Sequence, residues 1–204
     1  MTLIERLFGD HRRFPAARAM LLGCAALSVL AIAACEDPLA TTGTYTNQSQ
    51  TFTVYALSGT PLNAPVAIYF AGRSVVRADG NFAFDIAFDI NAEGRAIVLP
   101  VGLVGTPIDG SYLVGMQRVA GTFETVTEAP RSGYVVDSTQ VVAAGEVIVV
   151  QSQSPIVCSS SATAYLFAKI GIDSINQETR AIHGHALINL NCGFRQLTTG
   201  VPTF

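Results

Sequence analysis

The run NFAFDIAFDI, residues 81–90, sets Phe82, Phe84, Ile86, Phe88 and Ile90 against Ala83, Asp85, Ala87 and Asp89. A period of two is that of a β-strand, whose successive side chains point to opposite faces. The pattern predicts a half-buried antiparallel strand at the centre of a core, with its acids on a solvated face. Further strands are predicted over 51–58, 65–71, 73–78, 95–101, 111–119, 122–127, 133–137, 145–152, 163–175 and 181–191. Between them SGTPLNAP, RADGN, NAEG, GTPIDG, EAPRSG and QSQSP carry turn chemistry. No stretch beyond the leader shows a sustained helical period with caps. The predicted fold is therefore all-β, an antiparallel β-sandwich.

The last two predicted strands form a hairpin whose register follows from burial. Leu166, Ala168, Ile170 and Ile172 share one face, and Ile182, Gly184, Ala186, Ile188 and Leu190 share the matching face beyond Asn176–Arg180. Opposed residue numbers must then add to an even total, because a slip of one residue would turn one apolar face outward. Pairing Ile175 with Ala181 sets Asp173 opposite His183 and Gly171 opposite His185.

The N-terminal pattern is different. Residues 1–18 are basic, and residues 19–34, AMLLGCAALSVLAIAA, are uncharged and end in small side chains. That order is the one expected of an export signal, and the run is shorter than the roughly 20 residues of a spanning helix. Ile32-Ala33-Ala34-Cys35 resembles the lipobox of bacterial lipoprotein precursors. The resemblance implies a cleaved signal helix over 1–34 and a mature chain starting at Cys35, with a diacylglyceryl thioether and an amide-linked acyl chain. More than one chain makes a lasting anchor, each buried CH₂ contributing about 0.8 kcal/mol. The expected location is the bacterial cell envelope, with the protein held to a membrane by its lipid. Residues 35–50, polar and rich in Thr, Gln, Asn and Ser, are expected to be a flexible tether, and residues 51–204 the sandwich. A division of that region near 105–110 or 152–158 is the alternative.

With Cys24 in the leader and Cys35 carrying lipid, Cys158 and Cys192 are left as a pair, which suits one disulfide in an oxidising compartment. The bridge would clasp the open end of the last hairpin. Half the chain is hydrophobic, only 13% is charged, and tryptophan is absent. From Cys35 onward there are 8 basic and 13 acidic residues, a net of −5, with no basic stripe. That balance sets nucleic acid aside as a partner.

Candidate chemistry is sparse. His183 and His185 form an HxH on one strand face, and with Asp173 across the hairpin they are metal-ligand candidates, although no third strong ligand is evident and no metal is favoured. Asp85 and Asp89, with Asp79, Asn81, Asn91 and Glu93 in adjoining turns, lack the dense spacing of a calcium loop and are expected to be a solvated face. No GxSxG or phosphate-binding glycine loop occurs, and no catalytic residue or cofactor is expected.

Gly59-Thr60-Pro61-Leu62, Pro65-Val66-Ala67-Ile68 and Ala78-Asp79-Gly80-Asn81-Phe82 are similar to the carboxypeptidase-regulatory-like or transthyretin-like β-sandwich modules of secreted bacterial proteins. The resemblance implies an Ig-like or transthyretin-like sandwich that is accessory or adhesion-like and has no catalytic residues. The expectation is thus a non-catalytic binding or structural module of the envelope, tied to the membrane by lipid, with a protein or glycan partner. A metal-dependent or carboxylate-based hydrolase of the periplasm or cell surface is the alternative.

Overall fold

Among the described residues, eleven strands and one four-residue helix form a two-layered antiparallel structure. The computed structural model describes residues 41–80, 82–105, 113–136, 138–154, 156–158 and 165–203. In chain order the strands are β1 (Ser49–Tyr55), β2 (Ala67–Tyr69), β3 (Ser74–Val76), β4 (Ile86–Ile90), β5 (Ala96–Pro100), β6 (Val114–Val119), β7 (Val135–Val136), β8 (Gln140–Val142), β9 (Val147–Ser152), β10 (Leu166–Asn176) and β11 (Ala181–Asn189), with helix α1 (Val101–Val104) after β5. One sheet has the order β1-β11-β10-β9-β6-β7 and the other β3-β2-β4-β5-β8. The all-β sandwich expected from the alternating pattern is the architecture observed. Cys35 and the leader lie outside the described residues, as does Asn81.

Alternation explains the core. Phe52 and Val54 of β1, Met116 of β6, Ile148 and Val150 of β9, Leu166, Ala168, Ile170 and Ile172 of β10, and Ile182, Ala186 and Ile188 of β11 point from the six-stranded sheet toward Ile68, Ile86, Phe88, Val98 and Val142 of the other. Burying a side chain of this size contributes about 1.5–3 kcal/mol. Gly184 interrupts the row because a Cβ there would fall on the Gly171 carbonyl oxygen and lie 2.6 Å from Phe52 Cζ.

The structure departs from the sequence pattern in several places. The segment 122–127 is a turn: Thr122 and Thr125 bond each other's backbone amides through their hydroxyls, which gives the backbone an alternative to a sheet ladder. A short strand that the pattern did not indicate, β8, pairs with β5. In the hairpin, Gly171 faces His185 as predicted, but a bulge between Ile172 and Ser174 shifts the rest, so that Ser174 faces His183 and Asn176 faces Ala181. Asp173 is the extra residue. Finally, β4 begins only at Ile86, and Asp85 just before it is fully buried. Its carboxylate accepts hydrogen bonds from the Ser152 hydroxyl (2.5 Å) and the Phe70 amide (2.6 Å), linking the two sheets.

The chain is docked well before residue 51. Gly43 donates to the Pro202 carbonyl, Asn47 and Gly200 exchange backbone hydrogen bonds, and Thr44 and Tyr45 donate to Asn191 Oδ1. Asn191 Nδ2 returns bonds to the Tyr45 carbonyl and Asn189 Oδ1. Asn189 Nδ2 in turn donates to the Phe194 and Gln196 carbonyls. The polar composition of 41–50 is thus that of a segment held by side-chain amides. The Cys158–Cys192 disulfide, with an S–S distance of 2.09 Å, closes the same end of the sandwich.

Candidate functional site

The outer face of the six-stranded sheet has a second, smaller apolar cluster, in which Val147, Val149, Phe167 and Leu187 are covered by Phe123, Val126, Ala129 and Leu197. The segment 120–130 and the C-terminal stretch lie across the strands and bury groups that alternation alone would leave in water. Lys169, in the middle of β10, is only 4% exposed. Its ammonium donates to the carbonyls of Phe123 (2.5 Å) and Val126 (2.9 Å) and lies 4.3 Å from the centre of the Phe123 ring. Burial lowers the Lys169 pKa, opposed by the Glu124 carboxylate, which raises it. The carbonyls and the ring face replace part of the lost hydration.

His185 occupies the neighbouring position on β11. Its ring centre is 3.9 Å from that of Phe123 in an edge-on arrangement, and its Nδ1 lies 2.7 Å from Asp173 Oδ1. The bulge is what brings that acid within reach. Gly171 lies beneath, where a Cβ would come within 3.1 Å of Phe123 and 3.4 Å of His185. His183 is exposed and shares a 3.0 Å hydrogen bond with the Thr53 hydroxyl of β1. The structure therefore joins Asp173 to His185, whereas the simple register paired it with His183. Among the described residues no group of three or more His, Cys, Asp or Glu side chains is arranged to hold a metal ion.

Beside His185 opens a groove of about 350 Å³. Leu187 and Phe123 form its apolar floor, and the hydroxyls of Ser49, Thr198 and Thr199, the imidazole of His185, the Lys169 side chain and Glu124 line its sides. A neighbouring concavity of about 450 Å³ includes Glu128 and Arg195. Those two charges form an ion pair at 3.0 Å, and Arg195 also donates to the Ala129 carbonyl; Arg131 lines the same concavity. The groove beside His185 instead sets an imidazole, an ammonium, a carboxylate and three hydroxyls against the apolar Leu187 and Phe123.

The acids proposed from the strand pattern are dispersed. Asp79 lies 3.2 Å from the Arg77 guanidinium, and Asn91 accepts from the Arg95 amide. Asp89 lies 2.9 Å from Arg180 and accepts from the Ser58 hydroxyl at 2.6 Å. Burial alone would raise the Asp89 pKa; the Ser58 hydroxyl, the Ile90 and Ser58 amides and Arg180 together hold it below the usual carboxylate value. Arg180, in the left-handed region at φ 55°, also donates to the Ser58 carbonyl. These groups pin the β10–β11 turn to the loop after β1.

Lys169, Phe123 and Glu124 had no place among the sequence candidates. The available signal was the chain's one lysine within the otherwise apolar run LFAKIGI. Compared with protein-family models, curated proteins and solved structures, the chain finds no significant match in any of the three.

Proposed function

We propose that this protein is a lipid-anchored module of the bacterial cell envelope that binds a partner without transforming it, using the groove beside His185. The observation that carries this reading is the groove's composition: hydroxyls, an imidazole and a carboxylate arranged around a small apolar floor on the outer face of the six-stranded sheet. Ligand sites combine an apolar surface with a few oriented polar groups, and this mixture suits a hydroxyl-rich ligand such as an envelope glycan. The lipobox-like Ile32–Cys35 supports the envelope location. Thr199 is exposed on the groove's rim, so Thr199→Arg should obstruct the groove and leave the fold intact. Retention of the mature protein on isolated cell-wall glycans is expected to fall at least tenfold in that variant at unchanged thermal stability. Equal retention would contradict the assignment.

The 2.7 Å Asp173–His185 contact favours a second reading, a hydrolase in which the acid orients the imidazole. Turnover of ester or glycoside substrates that disappears in both Asp173→Asn and His185→Ala would establish it in place of binding alone.

A further inference from the structure

Large apolar side chains left in water are unevenly distributed over this molecule. Strand directions define two ends of the sandwich. β6 and β10 begin, and β5, β9 and β11 finish, at the same end, because Val114 faces Ser152, Leu166 faces Ser152, Phe167 faces Asn189, and Asp85 joins Ser152 while its carbonyl receives the Val101 amide. At this end Tyr45 is 52% exposed, Ile156 63% and Val201 50%, and Leu103 and Leu113 are nearly half exposed. The opposite end holds the β10–β11 turn and the loop after β1, where, among the described residues, Leu62 is the large exposed apolar group and the surroundings are Ser58, Asp89 and Arg180.

The chain connects to Cys35 at the apolar end. Gly43 is already hydrogen-bonded to Pro202 there, and Thr42 bridges Thr203. Seven residues lie between Cys35 and Gly43, and the eight Cα–Cα steps of a fully extended chain span at most about 28 Å. A lipid on Cys35 would therefore keep this end close to the headgroups and the opposite end farther out. We propose that the end formed by Tyr45, Leu103, Leu113, Ile156 and Val201 rests on the bilayer surface, with these side chains entering the interfacial region. The proposal depends on the lipid-anchor reading above.

Two physical considerations favour lipid as the occupant. The short tether makes contact nearly intramolecular, at an effective concentration in the millimolar range, so weakly favourable insertions suffice. Tyrosine and aliphatic groups gain on transfer from water to the interface, whereas the net charge of −5 beyond the leader gives no general attraction to an anionic membrane. Apolar contact at the tethered end is then what fixes orientation. Under this arrangement the outer face with its groove stands beside the membrane plane, open to ligands from the side.

The absence of tryptophan allows a clean test. Single-tryptophan variants Ile156→Trp, Val201→Trp and Leu62→Trp are prepared as mature lipoprotein and reconstituted in phosphatidylethanolamine–phosphatidylglycerol vesicles, with and without acyl-brominated lipid. Mass spectrometry of the N-terminal peptide is run on the same samples. The proposal predicts acylated Cys35, bromine quenching at least threefold stronger for positions 156 and 201 than for position 62, and a blue shift of several nanometres at those two positions only. Acylated Cys35 with equal quenching at all three positions would overturn the docking and leave the anchor standing. Unmodified Cys35 would overturn both.

Discussion

The two faces of the six-stranded sheet are built from the same strands and reach burial by different means. The inner face is buried because alternate residues are apolar, and its partners are the equivalent residues of the second sheet. The outer face is buried only where the 120–130 segment and the C-terminal stretch cross it, and there the strands present Lys169, His185 and Leu187 together. The inner face is a consequence of patterning, whereas the outer face requires specific partners for each polar group. The polar groups around Lys169 and His185 lie where a non-repetitive segment covers a repetitive one.

Substitutions should separate the two faces, beginning with the largest effect. Ile170→Ala empties a fully buried inner position and should cost about 2–5 kcal/mol in urea unfolding, with loss of stability throughout the domain. Lys169→Met removes the donor to the Phe123 and Val126 carbonyls and should cost about 1–3 kcal/mol. Hydrogen exchange should show the loss concentrated in residues 120–130; uniform acceleration across β9–β11 would make the outer cover part of one core.

Asp89 provides a smaller, pH-dependent effect on the outer side of the other sheet. Its pKa is lowered in the folded protein, so its stabilisation is present above the unfolded-state value and is lost as pH falls through the folded value. Asp89→Asn should cost about 1 kcal/mol at neutral pH, with the difference from wild type closing in the acid range below about pH 4. A pH-independent difference would mean that packing, and not charge, sets the contribution. Asp173→Ala should have the smallest effect, under about 1 kcal/mol, because Asp173 is exposed and its pair with His185 competes with water. A larger loss would show that the bulge itself depends on that contact.

These contrasts also explain what was legible in the sequence. The register of β10 and β11 could be read through Gly171 and His185 because both strands have a buried apolar face there. It failed beyond Ile172 because Asp173, Ser174 and Asn176 are polar and exposed, leaving nothing to oppose a one-residue slip. Asp85 was misplaced because the alternation continues past the beginning of the strand, into residues whose direction is set by hydrogen bonds to Ser152 and Phe70. Of the expected tether 35–50, the part 41–50 is docked, because composition does not distinguish solvation by water from solvation by Asn191. The disulfide was legible because two cysteines remained after the leader and lipobox were assigned. The groove was not, since Phe123 and Glu124 approach Lys169 only through a turn that the pattern presented as a strand.

The proposed export and lipid attachment are open to a direct check, intact-mass analysis of the N-terminal peptide from the membrane-extracted protein. The expected result is a chain beginning at Cys35 with the mass of a diacylglyceryl group and one further acyl chain. A chain beginning elsewhere, or one with a free thiol at Cys35, would contradict it.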